Sequence, residues 1–343
     1  MPLPTMSRSP VLRYWIVVNS NWPVQYRPKA FSEVVGHEIL IGMLQKIAFD
    51  GQIPAIMLCG PSGVGKTTLL RLYANALSTG SMEARETTSD LLEVDGATHG
   101  NVETLRSFVH WCQLVPQHGR YRVVLIDEVH AMSREAFTVL LRLVEEPPER
   151  ARFCFATTNP DKVPATISGR SMVFVLRPVG LQECQQRLEQ IMAMENIDLP
   201  ADVLQEILRI THGHVRNAIK LLQQVCQATS PTVSLVRSLE GFAGAFTERD
   251  FLDAVFKGDQ DRLMEYCEIV QEQNIDLAKF LKSTLLVFDQ FIADLLKGNQ
   301  ELQFTRFYVW MEALIQLYQE VQQFPGIAGS IFRAWCAKIL QLA

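Results

Sequence analysis

The stretch Ala55-Ile56-Met57-Leu58-Cys59-Gly60-Pro61-Ser62-Gly63-Val64-Gly65-Lys66-Thr67-Thr68 decides how this chain is read. Its first five residues carry no charge and read as a short buried strand. The following residues satisfy the phosphate-loop pattern G-x-x-x-x-G-K-[ST], after which Leu69, Leu70, Leu72 and Tyr73 open an amphipathic helix. Glycines in such a loop let successive backbone N–H groups curl around an anion, and the helix N-terminus adds positive potential. Lys66 is placed to neutralise terminal phosphates and Thr67 to offer a ligand to Mg²⁺, so residues 60–68 are expected to hold a nucleoside triphosphate with its cation.

Other short apolar runs lie around this strand: Leu91 to Val94, Val123 to Ile126, Phe153 to Ala156 and Val173 to Leu176. Amphipathic segments separate them, which predicts a parallel sheet with crossover helices. The clearest crossover runs from Ser133, its expected N-cap, to about Glu146, with Phe137, Leu140, Leu141 and Val144 on one face and Pro147-Pro148 as its stop. The run Val123 to Ile126 ends in Asp127-Glu128, a Walker B pattern. A carboxylate there can hold Mg²⁺, and its neighbour can polarise a water in line with the terminal phosphate. His130 is read as structural or as a switch. The next run finishes in Thr157-Thr158-Asn159, where Asn159 either hydrogen-bonds the terminal phosphate or lytic water, or forms the turn before Pro160. Arg216 falls in the first turn of a helix after Gly213, where a cation opposes the helix dipole unless an anion is near, so it is expected to contact phosphate. Arg170 lies on a loop before the fifth strand and is read either as an arginine finger for a neighbour's nucleotide or as a surface charge.

Composition narrows the classes. The 343 residues are 48% hydrophobic and 20% charged, which excludes a disordered or low-complexity chain and leads to an expectation of two or three domains. A net charge of -5 offers no whole-molecule attraction to nucleic acid or anionic lipid, so any phosphate must be met locally. No apolar run is long enough for a membrane span, and no cleavage site follows Val11 to Val18, so a cytoplasmic location without a membrane partner is expected. The seven cysteines are scattered, without a C-x-x-C pair, and read as small buried hydrophobes rather than disulfides or zinc ligands. After Pro178 helical periodicity takes over. The expected domains are 1–177 with the phosphate loop, a small helical domain at 178–229, and a helical segment at 230–343 whose aromatics, Phe251, Phe256, Phe280, Phe288 and Trp310 among them, form either core or a ligand box.

Together, Gln25-Tyr-Arg-Pro-Lys-Ala-Phe31, Val34-Val-Gly36, the phosphate loop, Leu92-Glu-Val-Asp-Gly-Ala97, Val124-Leu-Ile-Asp-Glu-Val-His130, Leu143-Val-Glu-Glu-Pro-Pro148 and Phe155-Ala-Thr-Thr-Asn159 resemble the clamp-loader ATPases of the AAA+ class. The likeness covers about residues 22–228 and is nearer to the bacterial gamma/tau type than to replication factor C small subunits. It implies an α/β ATPase domain on a five-stranded sheet, a three-helix lid, and an all-α collar through which five subunits form a spiral. It also implies ATP hydrolysis that loads a sliding clamp onto primer-template DNA. By position, Val35 and Gly36 would meet the adenine, Lys66, Thr67, Asp127 and Glu128 would run hydrolysis, Asn159 would match sensor 1, Arg216 sensor 2, and Arg170 the finger acting in trans. Thr98, His99, Asn101 and Arg106 would track DNA. The sequence departs from the family in three places. Gly169-Arg170-Ser171 replaces Ser-Arg-Cys, the zinc module's four cysteines are missing between Leu77 and Leu91 so that no zinc is expected, and the DNA positions hold one full cation. The chain also ends with the collar, as a compact bacterial or phage version would. Another DNA motor of the class, such as a branch-migration helicase or helicase loader, and a non-hydrolysing loader subunit are the alternatives.

Overall fold

The structure, a computed structural model, describes residues 21–81, 89–99, 102–228, 230–239, 248–272, 275–297 and 304–339. Five parallel strands, β1 (Ala55–Cys59), β2 (Leu91–Asp95), β3 (Arg122–Asp127), β4 (Ala151–Thr157) and β5 (Met172–Val175), form one sheet in the order β2-β3-β4-β1-β5. Because side chains alternate across a strand, the three inner strands feed two cores. Met57, Val124, Ile126, Phe153 and Phe155 pack on one face with Phe108, Phe137 and Leu140 of the Val102–Gln113 and Arg134–Glu145 helices. Ile56, Leu58, Val123, Leu125, Cys154 and Ala156 pack on the other with Leu69, Leu70 and Tyr73 of the Lys66–Thr79 helix. The crossover starts as the sequence predicts, with Ser133 Oγ accepting from Ala136 N at 3.1 Å.

The fifth strand differs from the expectation of a buried run. It begins one residue earlier, at Met172, and Val175 is 73% exposed within the chain, because β5 is an edge strand with β1 as its one strand neighbour.

Two compact units partition the chain, Met1–Leu199 with Ile207–Gln227, and Pro200–Glu206 with Ala228–Ala343. The sheet and the lid helices Leu181–Glu195 and Val215–Cys226 fall in the first. The second is helical among its described residues, and its aromatics pack on one another. Phe251 lies 5.5 Å from the rings of both Phe280 and Phe332, and Phe256 lies 4.9 Å from Trp310 and 5.4 Å from Phe288 and Phe307. These contacts fit the core reading of the aromatics. All seven cysteines are free thiols, six of them buried and Cys226 half-buried.

Candidate functional site

Parallel pairing brings the C-terminal ends of β1, β3 and β4 to one edge of the sheet, so Gly60, Asp127-Glu128 and Thr157-Thr158 converge there. The phosphate loop can turn this tightly because Gly60, Gly63 and Gly65 have φ of 148°, 82° and 101°. At Gly60 the side-chain space is also closed, since a Cβ would stand 2.4 Å from Leu176 O. Lys66, 5% exposed, donates from Nζ to Gly60 O at 2.8 Å and Pro61 O at 2.9 Å. Burial lowers the pKa of its ammonium, and the charges of Glu128 and Asp127 oppose that shift.

Thr67 Oγ1 donates to Asp127 Oδ2 at 2.7 Å, across 60 residues of chain. Two hard oxygen donors at this spacing suit Mg²⁺, which takes few protein ligands and keeps waters and phosphate oxygens for the rest. Glu128, the residue aimed at the lytic water in the sequence reading, has φ 46° and is held by Thr158. Its Oε2 accepts from Thr158 N at 3.1 Å and Thr158 Oγ1 at 2.9 Å. His130 Nδ1 stands 3.2 Å from the same oxygen and 3.1 Å from Thr157 Oγ1, which gives this histidine a place beside the acidic pair.

A cleft opens between this edge and the lid helices. Of the residues expected to bind nucleotide, Val35, Ser62, Gly63, Val64, Gly65, Lys66, Thr67, Thr68 and Arg216 line it, as do Asp127 and Glu128. Gly60 and Pro61 contribute the carbonyls that seat Lys66, and Gly36 stands behind the lining, where a Cβ would meet Val179 Cγ1 at 3.0 Å. Lid and loop also touch directly, with His214 Nδ1 2.9 Å from Ser62 O.

Asn159 and Arg170 stand apart from this lining. Asn159 N returns to Thr157 Oγ1 at 3.0 Å and the residue starts the turn at Pro160–Lys162. The Thr158 contact with Glu128 was missed by the sequence reading, although the Thr157-Thr158 pair was its visible trace. Arg170 is 44% exposed and pairs with Glu145 at 2.8 Å, while its Nη1 donates to Thr166 O at 3.1 Å. Also missed as cleft-lining residues were Pro23, Tyr26, Arg27, Arg187 and Ile219. Of the expected DNA positions, Thr98 is exposed, His99 and Arg106 sit on the Gly96–His99 and Val102–Gln113 helices, and Asn101 lies outside the described residues. Part of the segment read for zinc, 82–88, also lies outside them.

A family model described as "DNA polymerase III, delta subunit" matches residues 36–180. The chain is 32% identical over 274 residues to DNA polymerase III subunit tau/gamma of Haemophilus influenzae and 33% identical over 258 residues to subunit tau of Escherichia coli. Those matches take in 75% and 70% of this chain and 40% of each relative, so the chain spans about two fifths of their length. Against DNA polymerase III subunit gamma of Buchnera aphidicola subsp. Acyrthosiphon pisum it is 31% identical, over 70% of this chain and 71% of that one. Among solved structures, the Thermotoga maritima RuvB Holliday junction branch migration motor superposes with a TM-score of 0.53 at 17% identity, covering 76% of this chain and 90% of that one. At that identity the likeness is one of fold.

Proposed function

The chain belongs to the DNA polymerase III gamma/tau family and has an AAA+ fold with a helical C-terminal part, and from that premise we propose that it is a DNA-dependent ATPase subunit of a clamp loader. In this reading it hydrolyses ATP with Mg²⁺ to open a sliding clamp and load it onto primer-template DNA, working beside other loader subunits. The observation that carries the chemistry is the meeting of Thr67 Oγ1 with Asp127 Oδ2 beside a glutamate fixed by Thr158.

The roles follow from the positions. Loop N–H groups and Lys66 take the terminal phosphates, drawing the ammonium from the carbonyls of Gly60 and Pro61 onto stronger anionic acceptors. Thr67 and Asp127 would hold Mg²⁺, which when bound would neutralise charge on the terminal phosphates. Glu128 accepts the proton of the attacking water, and Thr158 fixes the orientation of its carboxylate. Arg216, whose Cβ stands 3.5 Å from the position of a Gly63 Cβ, reports phosphate occupancy to the lid. Val35 and Gly36 belong to the adenine side. The Arg170–Glu145 pair is exposed and contributes at most about 1 kcal/mol, so it does not hold Arg170 back from a neighbour's phosphates.

ATP turnover measured alone, with primed DNA, and with primed DNA plus clamp tests the assignment. A clamp-loader subunit in its assembly turns over faster with each addition. A chain that binds ATP and never hydrolyses it in any mixture is a structural subunit, and stimulation by branched DNA without a clamp marks a different motor. DNA affinity supplied by few cations should fall steeply as salt rises, and Arg106→Ala should weaken binding to all sequences alike.

A further inference from the structure

The cleft is also lined by side chains that hydrolysis does not use, Tyr26 and Arg187 among them. The segment from Trp22 to Tyr26 is fastened to the lid helices. Trp22 is fully buried and its backbone N–H donates to Gln223 Oε1 at 3.1 Å. The Tyr26 hydroxyl donates to Glu195 at the end of the Leu181–Glu195 helix. Arg187, from the middle of that helix, donates from Nη2 to Tyr26 O at 2.8 Å and from Nη1 to Gln190 Oε1 at 3.1 Å. Burying a guanidinium against neutral oxygens is costly, and Arg187 is only 7% exposed while lining the cleft together with Tyr26. Burial lowers its pKa, with Glu33 and Tyr26 opposing. Burial and the bond to Glu195 raise the pKa of the Tyr26 hydroxyl, so it stays a donor.

Val35 lines the same cleft, and His37 is hydrogen-bonded to the backbone of Val64 in the phosphate loop. The chain between Tyr26 and Val35 therefore crosses from a lid-borne anchor to a loop-borne one. Resting on the nucleotide reading above, we propose that Arg187, Tyr26 and Glu195 form a latch that positions this crossing segment as the wall for a purine base. The latch gives a purine nucleoside triphosphate affinity beyond that of its triphosphate chain. The three are positioning residues, acting through the wall they hold.

The latch and the phosphate loop part company when the base is removed from the ligand. Competition of ATP and of inorganic tripolyphosphate against a fluorescent ATP analogue, with Mg²⁺ and the full chain, measures both ends. Tyr26→Phe, which deletes one hydroxyl and keeps the ring, and Arg187→Gln should each weaken ATP by about three- to tenfold, the loss of one hydrogen bond of typical strength. Neither should move tripolyphosphate. Glu195→Gln, which keeps an acceptor for Tyr26, should retain most of the ATP affinity. Equal losses for both ligands would show a general folding role and overturn the latch, as would unchanged ATP binding in Tyr26→Phe. A wild-type chain that binds neither ligand would overturn the nucleotide reading itself, an outcome distinct from failure of the latch, in which wild-type binding is intact.

Discussion

Two sets of groups line the cleft, one assigned to phosphate and one to the base, and they are built in different ways. The phosphate end uses consecutive backbone groups of residues 60–67 with two acids at the end of β3, whereas the base end gathers Tyr26, Val35, Arg187 and Ile219 from across the first unit. A backbone-built site must write its φ requirements into the sequence as glycines at fixed spacing, so it can be read there. A site assembled from side chains on separate elements leaves only helix periodicity, which looks the same whether a residue packs a core or lines a cleft. The comparison also separates the energetics. In the proposed reading, charge develops beside the phosphate loop during hydrolysis, whereas the residues assigned to the base act through ground-state binding.

The largest effect expected at the phosphate end comes from a residue that its own chain does not place there. Arg170→Ala should bind ATP normally yet lose about a thousandfold or more in turnover if the guanidinium completes a neighbour's site. Mixing it with Lys66→Ala protein, which retains Arg170, should restore hydrolysis at the first protein's sites. Wild-type turnover in Arg170→Ala, or no restoration in mixed oligomers that demonstrably form, would leave Arg170 as a surface partner of Glu145.

Within the chain, Glu128→Gln keeps the shape held by Thr158 but withdraws the proposed base, so turnover should fall by about 10²–10⁴ with ATP affinity retained. Lys66→Ala should instead lose ATP affinity. Single-turnover hydrolysis alongside equilibrium binding checks the pair, and equal loss of binding in both variants would erase the division of labour.

Gly213→Ala addresses the junction of the two ends. Gly213 has φ 77° and a Cβ there would stand 2.0 Å from Val179 O, whose own N–H donates back to Gly213 O at 3.2 Å. The strained backbone alone costs about 1–3 kcal/mol. Val179, Val215 and Arg216 all line the cleft, so ATP affinity and thermal midpoint should fall together. A drop in midpoint with unchanged affinity would separate lid geometry from binding.

The sheet, the crossover helix and the acidic pair were legible because periodicity and motif spacing coincide there. Edge exposure of β5 was not, since strand order is a non-local property that Val173 to Leu176 cannot encode by itself. Thr158 as Glu128's partner was not legible, because successive residues leaving a strand point to opposite sides and sequence does not fix which of them faces the neighbouring strand's end. Val35 and Gly36 entered the reading through the resemblance alone, and Arg187 and Glu195 escaped it because they read as ordinary polar positions on an amphipathic helix.

The smallest effect belongs to a control outside the cleft. Asp90 is fully buried before β2, where its carboxylate accepts from Gln117 N and His118 N at 2.7 Å each and from Gly119 N at 3.1 Å. Burial alone would raise its pKa, but the three backbone donors and the charge of Arg122 outweigh it and hold the group below the usual aspartate value. The sign follows directly. A depressed folded-state pKa contributes stability that is complete above the unfolded value of about 4 and is lost as pH falls through the lower folded value. Asp90→Asn keeps the size but turns an amide toward backbone donors, which should cost about 1–3 kcal/mol near neutral pH. The difference between wild type and variant should shrink on acidification, measured as denaturation midpoints from pH 7 down to pH values below that range. ATP and tripolyphosphate affinities should both stay unchanged, because the Asp90 contacts touch neither end of the cleft. A variant that loses stability equally at every pH would mean that Asp90 acts by packing alone, and one that loses ATP affinity would tie the β2 loop to the site.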